Sequence, residues 1–189
     1  MYKSTFSLHN SDGQRKYLNQ LERIRFLDCS KNCRLEIKLF AQLLYYTGAR
    51  IAEIHNLMTN HIDFSNRSVV IETLKKRKKG VYREIPLPDV LLKELELYIK
   101  DLYFQDENLQ KLWSFSLRTA SRYIKIIMLE AGINGVRASA KSLRHGYAVN
   151  AVQKAPITLV KKWLGHGSLE TTAIYLDIVG TEEREIAER

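Results

Sequence analysis

Apolar residues recur at helical spacing through most of the chain, which predicts a mainly α-helical protein. The first helix is predicted over residues 16–27, where the apolar positions are Leu18, Leu21, Ile24 and Leu27. A second helix is expected to end near Gly48, since glycine often terminates helices, and its apolar positions are Leu35, Leu39, Leu43 and Tyr46. A short third helix follows over residues 51–57.

Between residues 68 and 87 the pattern becomes that of β-strands. Residues 68–73 are rich in β-branched side chains and predict one strand, and residues 81–87 predict a second that ends near Pro86 and Pro88. The turn between them, residues 76–80, carries the densest positive charge in the chain. We therefore expect a mainly α fold with a small β-hairpin, in the α+β class.

Helical patterns resume after the hairpin and continue nearly to the end of the chain. Further helices are predicted over residues 88–102, 116–131, 139–153, 156–164 and 168–176, with a polar loop over 104–112. A length of 189 residues with 45% hydrophobic content suits one globular domain. We expect a flexible arm over residues 1–15, a domain over 16–180, and a charged tail over 181–189.

The net charge of +9 and the isoelectric point near 9.5 indicate a polyanionic partner, usually nucleic acid. By themselves they suit a solvated basic surface equally well. No secretory signal or membrane-spanning run is present, so a cytoplasmic location is expected. Cys29 and Cys33 are interpreted as ordinary thiols, and no carboxylate cluster or HxxxH or CxxC motif indicates a metal site. No cofactor is expected.

Two segments carry arginines that could face an anion together. In the first, Arg50 follows Gly48 at the head of a helix, and Glu53 lies one turn later, where it can pair with Arg50. In the second, Lys141 and Arg144 lie three residues apart on one helix face. Either segment alone is more commonly a solvated basic surface, although the apolar neighbours of Arg144 indicate a packed helix.

The last segment places His166 in a glycine-flanked turn and Tyr175 nine residues later, near the end of a short helix. A single His or Tyr in such a place is usually a packing residue. The order of the features along the chain is more informative: an arginine, a basic hairpin, a second arginine, a histidine and a tyrosine.

In this order the chain resembles the tyrosine recombinases, also called the phage integrase family. The resemblance runs from about residue 16 to residue 189. It rests on the stretches at residues 48–53 (GARIAE), 143–145 (LRH), 164–166 (LGH) and 171–175 (TTAIY). Each stretch is weak evidence alone, but four in this order and spacing are strong. The resemblance implies the family's catalytic-domain fold.

The resemblance also implies catalytic roles, residue by residue. Tyr175 matches the nucleophile, Arg50 and Arg144 match the arginines that hold the scissile phosphate, and His166 matches the third-box position. Lys75, at the end of the first strand, matches the general acid. Lys76 is the alternative, because the register of a hairpin is easily misjudged by one residue.

Lys141 departs from the family's usual pattern, which has histidine three residues before the second arginine. A lysine there keeps a hydrogen-bond donor and a positive charge near the phosphate. Because an ammonium group carries no free lone pair, a stabilising role is favoured over that of a base.

The implied function is site-specific recombination of double-stranded DNA through a 3′-phosphotyrosine intermediate, without metal or ATP, by a homo-oligomer, most simply a tetramer on paired sites. The hairpin turn and the predicted helix over residues 116–131 are expected to contact backbone phosphates through Lys76, Arg77, Lys78, Lys79, Arg118, Arg122 and Lys125. For the last three, a solvated face is an equally good interpretation. The resemblance also implies that the tail over 181–189 docks onto a neighbouring protomer.

Three alternatives differ in function. A related phosphotyrosine topoisomerase would relax DNA without exchanging strands, a silent regulator would bind DNA without cleaving it, and a basic helical domain would carry the motifs by chance. The chain lacks room for the N-terminal DNA-clamping domain of larger relatives. A small single-domain plasmid- or phage-borne member and a fragment are both compatible with its length.

Overall fold

The computed structural model describes residues 8–74, 80–106, 108 and 110–176. In chain order, the first three helices are α1 (Gln20–Ser30), α2 (Leu35–Thr47) and α3 (Ile51–His55). A sheet of β1 (Ile62–Asp63), β2 (Ser68–Glu72) and β3 (Tyr82–Pro86) follows. The remaining helices are α4 (Asp89–Gln105), α5 (Leu117–Glu130), α6 (Ala140–Val152), α7 (Ile157–Leu164) and α8 (Glu170–Ala173). The predicted α+β class is confirmed.

The sheet is antiparallel in the order β1-β2-β3, and Val69 of β2 pairs with Ile62 on one side and Ile85 on the other. The hairpin was predicted, but β1, with only two residues, was not. Successive side chains of a strand point to opposite faces. In β3 this alternation buries Arg83 and Ile85 and leaves Tyr82 exposed.

Helix α2 lies in the centre of the core and contacts α1, α4, α5 and α6. Its buried side chains include Leu39, Phe40 and Leu43, and Phe40 packs edge-on against Trp113 at 5.2 Å between ring centroids. A helix covered on most sides needs a wide apolar surface, and eight of the thirteen residues of α2 are buried. This buried helix brings its C-terminal end, and with it Gly48, to the middle of the molecule.

Gly48 ends α2 in the left-handed conformation, with φ of 60°. A Cβ atom added there would lie 2.3 Å from Cδ1 of Tyr147 on α6, closer than any real contact. Glycine is therefore required both by the backbone conformation and by the close approach of α6.

The prediction for α1 was wrong in its start, and the apolar spacing does not mark the buried face of the helix. The helix begins at Gln20, where the Asn19 side chain accepts a hydrogen bond from the backbone N–H of Glu22 and forms a capping box. Leu21 and Ile24 are exposed, whereas Glu22 and Arg23 are buried with Phe26.

Both buried charged residues of α1 have partners elsewhere in the chain. Glu22 pairs with Arg15 and Arg137, and the guanidinium of Arg23 lies 4.5 Å from the ring centroid of Tyr45. Pairing removes most of the cost of burying charge. These partners are distant in sequence, so the apolar spacing within α1 did not reveal the inward face.

Part of the segment predicted as a flexible arm packs against the domain. The Lys16 N–H donates to the Leu8 carbonyl at 2.7 Å. His9 and Arg15 pair through their backbones in an isolated antiparallel β-bridge. Leu8 is buried in the same apolar cluster as Tyr175. The division of the chain at residues 15 and 180 stays a prediction, and the tail over 181–189 lies outside the described residues.

The other helices match their predicted positions to within a few residues, except α8, which is shorter. It covers Glu170–Ala173, so Tyr175 lies in the turn after the helix and not within it. No helix in the described part of the chain is long and apolar enough to cross a membrane.

Candidate active site

Arg144 is the buried centre of a polar cluster at the junction of α2, α6 and α7. Its guanidinium donates to the Gly48 carbonyl at 2.8 Å, to the Leu164 carbonyl at 2.7 Å, and to Nε2 of His166 at 3.1 Å. Burial, aided by nearby Arg50, lowers its pKa to about 10, so the group remains charged near neutral pH. Arg144 thus joins the ends of two helices to the histidine turn.

Arg50 occupies the N-cap position of α3 and is more accessible, with 39% of its side chain exposed. It pairs with Glu53 at 2.9 Å, and the same carboxylate accepts the Arg50 backbone N–H at 2.9 Å. The contact suggested by their spacing is therefore present. It holds the guanidinium near the helix start while leaving part of it open to solvent.

Arg83 of β3 lies behind this pair and was not among the predicted residues. Its guanidinium donates to Glu53 at 2.6 Å, to Oγ1 of Thr73 at 2.9 Å and to the Trp163 carbonyl at 2.7 Å. Burial raises the pKa of Glu53, but Arg83 and Arg50 outweigh it and leave the pKa below its usual value. One buried arginine thus connects the hairpin, α3 and α7.

His166 follows the left-handed Gly165 that ends α7. Because a guanidinium can only donate, Nε2 of His166 accepts from Arg144, and the ring proton lies on Nδ1. Nδ1 is 2.9 Å from Oγ1 of Thr172, which is fully buried on α8. Thr172 was also absent from the predicted set, and it fixes both the orientation and the tautomer of the ring.

Tyr175 is 1% exposed, and its ring lies parallel to that of His166 with 6.3 Å between centroids. Its hydroxyl oxygen is 2.9 Å from Nδ1 of His145, the residue that follows Arg144 on α6. Burial raises the pKa of Tyr175 to about 12, although Arg144 and Arg50 oppose this effect.

His145 is itself buried, with 4% of its surface exposed. Burial and the positive charges of Lys141, Arg144 and Lys16 lower its pKa to about 4, so the ring is neutral near pH 7. The neutral ring and the protonated tyrosine therefore form an uncharged pair next to two arginines.

A cavity of about 490 Å³ joins these groups. Its polar lining residues are Arg50, Lys141, Arg144, His145, His166, Thr171 and Tyr175. Five of the six residues predicted to be catalytic thus share one cavity, with the exposed Lys141 at its edge. The sixth, Lys75, lies outside the described residues.

The predicted DNA-contacting residues remain predictions. Arg118, Arg122 and Lys125 are exposed on α5 and do not line the cavity. Exposure suits both a DNA contact and a solvated face. Residues 76–79 of the hairpin turn lie outside the described part of the chain.

Two of the residues missed by the prediction left a signal in the sequence. Arg83 occupies an inward position of β3 between Val81 and Ile85, where a charge needs a buried partner. His145 stands within the motif of Arg144, but helical spacing alone does not direct it to Tyr175. Thr172 left no comparable signal.

Comparison with known proteins identifies similar sequences and folds. The model of the phage integrase family matches residues 16–180. Tyrosine recombinase XerA of Pyrococcus furiosus is 28% identical over 181 residues, covering 92% of this chain and 61% of the relative. A tyrosine recombinase of Thermosipho africanus is 37% identical over 154 residues, covering 79% of this chain and 52% of the relative.

Among solved structures, a post-cleavage complex of XerH site-specific recombinase bound to palindromic difH substrate superimposes with a TM-score of 0.76. It is 22% identical, and the match covers 97% of this chain and 56% of that one. This likeness shows the fold. The chain thus spans about half to three-fifths of the length of the proteins it matches here.

Proposed function

The chain belongs to the phage integrase family, and we propose that it is the catalytic domain of a site-specific recombinase or integrase. It cleaves and rejoins DNA through a 3′-phosphotyrosine bond on Tyr175, without a metal ion or ATP. One observation carries the proposal: Tyr175, Arg50, Arg144 and His166 line one cavity of about 490 Å³.

The two arginines are suited to bind the scissile phosphate. A guanidinium has five N–H donors, and the three contacts of Arg144 leave two of these for phosphate oxygens. Arg50 contributes from the open side of the cavity. Fixed donors facing the charge that develops on phosphorus oxygens lower the barrier to the reaction. Lys141 adds a positive charge and a further donor, and His166 holds the Arg144 guanidinium in place.

In the cleavage step the Tyr175 oxygen attacks phosphorus as the bond from phosphorus to the 5′ oxygen breaks. Lys75 protonates the leaving 5′ oxygen, and Lys76 is the alternative. The phosphotyrosine keeps the energy of the broken bond, so a 5′-hydroxyl from another strand can reverse the step without ATP. Attack by the 5′-hydroxyl of the cleaved strand restores that strand, whereas attack by the 5′-hydroxyl of another strand exchanges the two.

Double-stranded DNA is the partner that the family and the charge of +9 support. The structurally similar XerH was captured on its difH substrate. We propose that this chain binds DNA backbones through its hairpin turn and α5, works in the cytoplasm, and assembles as a tetramer on paired sites. The order in which the four active sites react would then depend on contacts between protomers, including those made by the tail over 181–189.

Covalent trapping tests the proposal. The protein is incubated with supercoiled plasmid and with nicked inverted-repeat duplexes whose short 5′-hydroxyl fragment diffuses away after cleavage, in EDTA and without ATP. We expect detergent-stable DNA adducts for the wild type, none for Tyr175→Phe, and far fewer for Arg144→Ala.

An adduct that persists in Tyr175→Phe would disprove the assigned nucleophile. DNA binding with no adduct on any substrate would support a regulator that does not cleave. Plasmid relaxation without exchange between paired sites would support a topoisomerase.

A further inference from the structure

We propose that His145 accepts the proton of the Tyr175 hydroxyl when that oxygen attacks phosphorus. The inference rests on the proposed function, because it assigns a step within the same reaction. It gives a catalytic role to a histidine that the order of motifs did not single out.

Contact and burial place His145 beside the reacting atom. Its Nδ1 lies 2.9 Å from the Tyr175 oxygen, and the two ring centroids are 6.0 Å apart. Tyr175 and His145 are 1% and 4% exposed. With so little access for bulk water, the proton released by Tyr175 passes to a group already within hydrogen-bond distance.

The surroundings of His145 keep its ring ready to accept. Lys141 lies one turn before it on the same helix face, Arg144 is its chain neighbour, and Lys16 acts on it from the segment before α1. These charges and burial disfavour the imidazolium, so the ring is neutral near pH 7. With its proton on Nε2, Nδ1 offers a lone pair to the Tyr175 hydroxyl.

A weak base is sufficient for this step because the acidity of the Tyr175 hydroxyl changes during the reaction. As the oxygen forms its bond to phosphorus, its proton becomes strongly acidic. The bound phosphodiester also brings a negative charge that offsets Arg144 and Lys141 and favours the imidazolium. Proton transfer thus becomes favourable within the transition state even though it is unfavourable before DNA binds.

The step balances without any further reactant. The bond between the Tyr175 oxygen and phosphorus forms, and the bond from phosphorus to the 5′ oxygen breaks. The Tyr175 proton moves to Nδ1 of His145, and the leaving oxygen takes its proton from Lys75. In rejoining, the His145 imidazolium returns its proton to the departing Tyr175 oxygen.

Lys141 is less suited to this step, because it is exposed at the edge of the cavity and an ammonium group has no free lone pair. Its charge instead raises the cost of protonating His145 before the phosphate arrives. The two residues, which share one face of α6, thus have different roles: Lys141 stabilises negative charge, and His145 receives the proton.

The first test compares single-turnover cleavage by the wild type, His145→Asn and His145→Ala on the nicked DNA that traps the wild type. Asparagine places an amide near the position of Nδ1 and keeps a hydrogen bond, but it cannot take a proton. We expect both variants to cleave about 100-fold more slowly, a usual effect of losing a general base, while binding DNA with unchanged affinity. His61→Asn, a histidine outside the cavity, is the matched control and should cleave like the wild type.

The second test separates proton transfer from positioning. Fluorotyrosines placed at position 175 make the phenol progressively more acidic, which lessens the need for a base. The defect of His145→Asn should then shrink by about tenfold or more across the series. His145→Gln serves the same purpose if the asparagine variant does not fold.

A defect that stays constant across the fluorotyrosine series, or cleavage by His145→Asn within about threefold of the wild type, would overturn the proton-transfer role. In either case the wild type would still form its Tyr175 adduct, so the proposed function would stand. Absence of that adduct in the wild type would overturn both.

Discussion

The guanidinium of Arg83 and the carboxylate of Glu53 form an ion pair of 2.6 Å whose side chains are 4% and 0% exposed. The pair connects β3 to α3, and Glu53 extends it to Arg50 in the cavity. The position of a proposed phosphate-binding arginine is therefore set by a strand that contributes no side chain to that cavity.

Replacing Arg83 with methionine should destabilise the protein by about 3–5 kcal/mol, because it leaves the Glu53 charge buried without its main partner. The free energy of unfolding in urea measures this. The matched control is Arg67→Met, which breaks the exposed pair of Arg67 with Asp89 and should have little effect. Equal losses in the two variants would contradict the importance assigned to the buried pair.

Gly48→Ala should destabilise the protein by about 3 kcal/mol or more, from left-handed strain and from the clash with Tyr147. Gly132→Ala provides the comparison, since Gly132 has φ of 71° but no atom within 4 Å of its added Cβ. It should show only the strain, about 1–2 kcal/mol. Urea unfolding distinguishes the two, and similar losses would show that Tyr147 moves aside at no cost.

Thr172→Val should impair both stability and cleavage. Valine keeps the shape of the buried threonine but leaves Nδ1–H of His166 without its acceptor, which costs about 1–3 kcal/mol. A ring freed to rotate no longer presents Nε2 to Arg144, so we expect cleavage to slow by about tenfold. Thr59→Val is the control, since Thr59 is a buried threonine outside the cavity whose hydroxyl accepts from Tyr103. Single-turnover trapping is the measurement, and a rate equal to that of the control would refute the orienting role.

Stability should fall on the acid side because of His145. Its pKa is about 4 in the folded protein and 6.5 when unfolded, so the unfolded chain binds the proton more readily. The contribution of the neutral His145 ring to the free energy of unfolding is complete above pH 6.5 and decreases as the pH falls toward 4. It is at most about 3 kcal/mol. His145→Asn should show a smaller difference between its unfolding free energies at pH 7 and pH 4.5 than the wild type, and an unchanged difference would contradict the depressed pKa.

The sequence by itself determined the order of the helices and the place of the β-hairpin among them. The helical spacing around Leu39 and Leu43, the β-branched run at residues 68–73 and the left-handed glycines are local signals, and each produced its element within a few residues of the expected place. The candidate catalytic residues could also be identified from the sequence, because the family resemblance depends on their types and on their order along the chain. Arg50, Arg144, His166 and Tyr175 indeed meet in one cavity.

Only the tertiary structure decided which side chains support those residues. Leu21 points to solvent and Glu22 inward because the partners of Glu22 lie 7 residues before it and 115 after it. Arg83 and Glu53, 30 residues apart, and His145 and Tyr175, also 30 apart, meet because β3, α3, α6 and the turn after α8 pack together. Periodicity reports only local geometry, whereas a buried polar contact depends on the free energy of the whole packed arrangement.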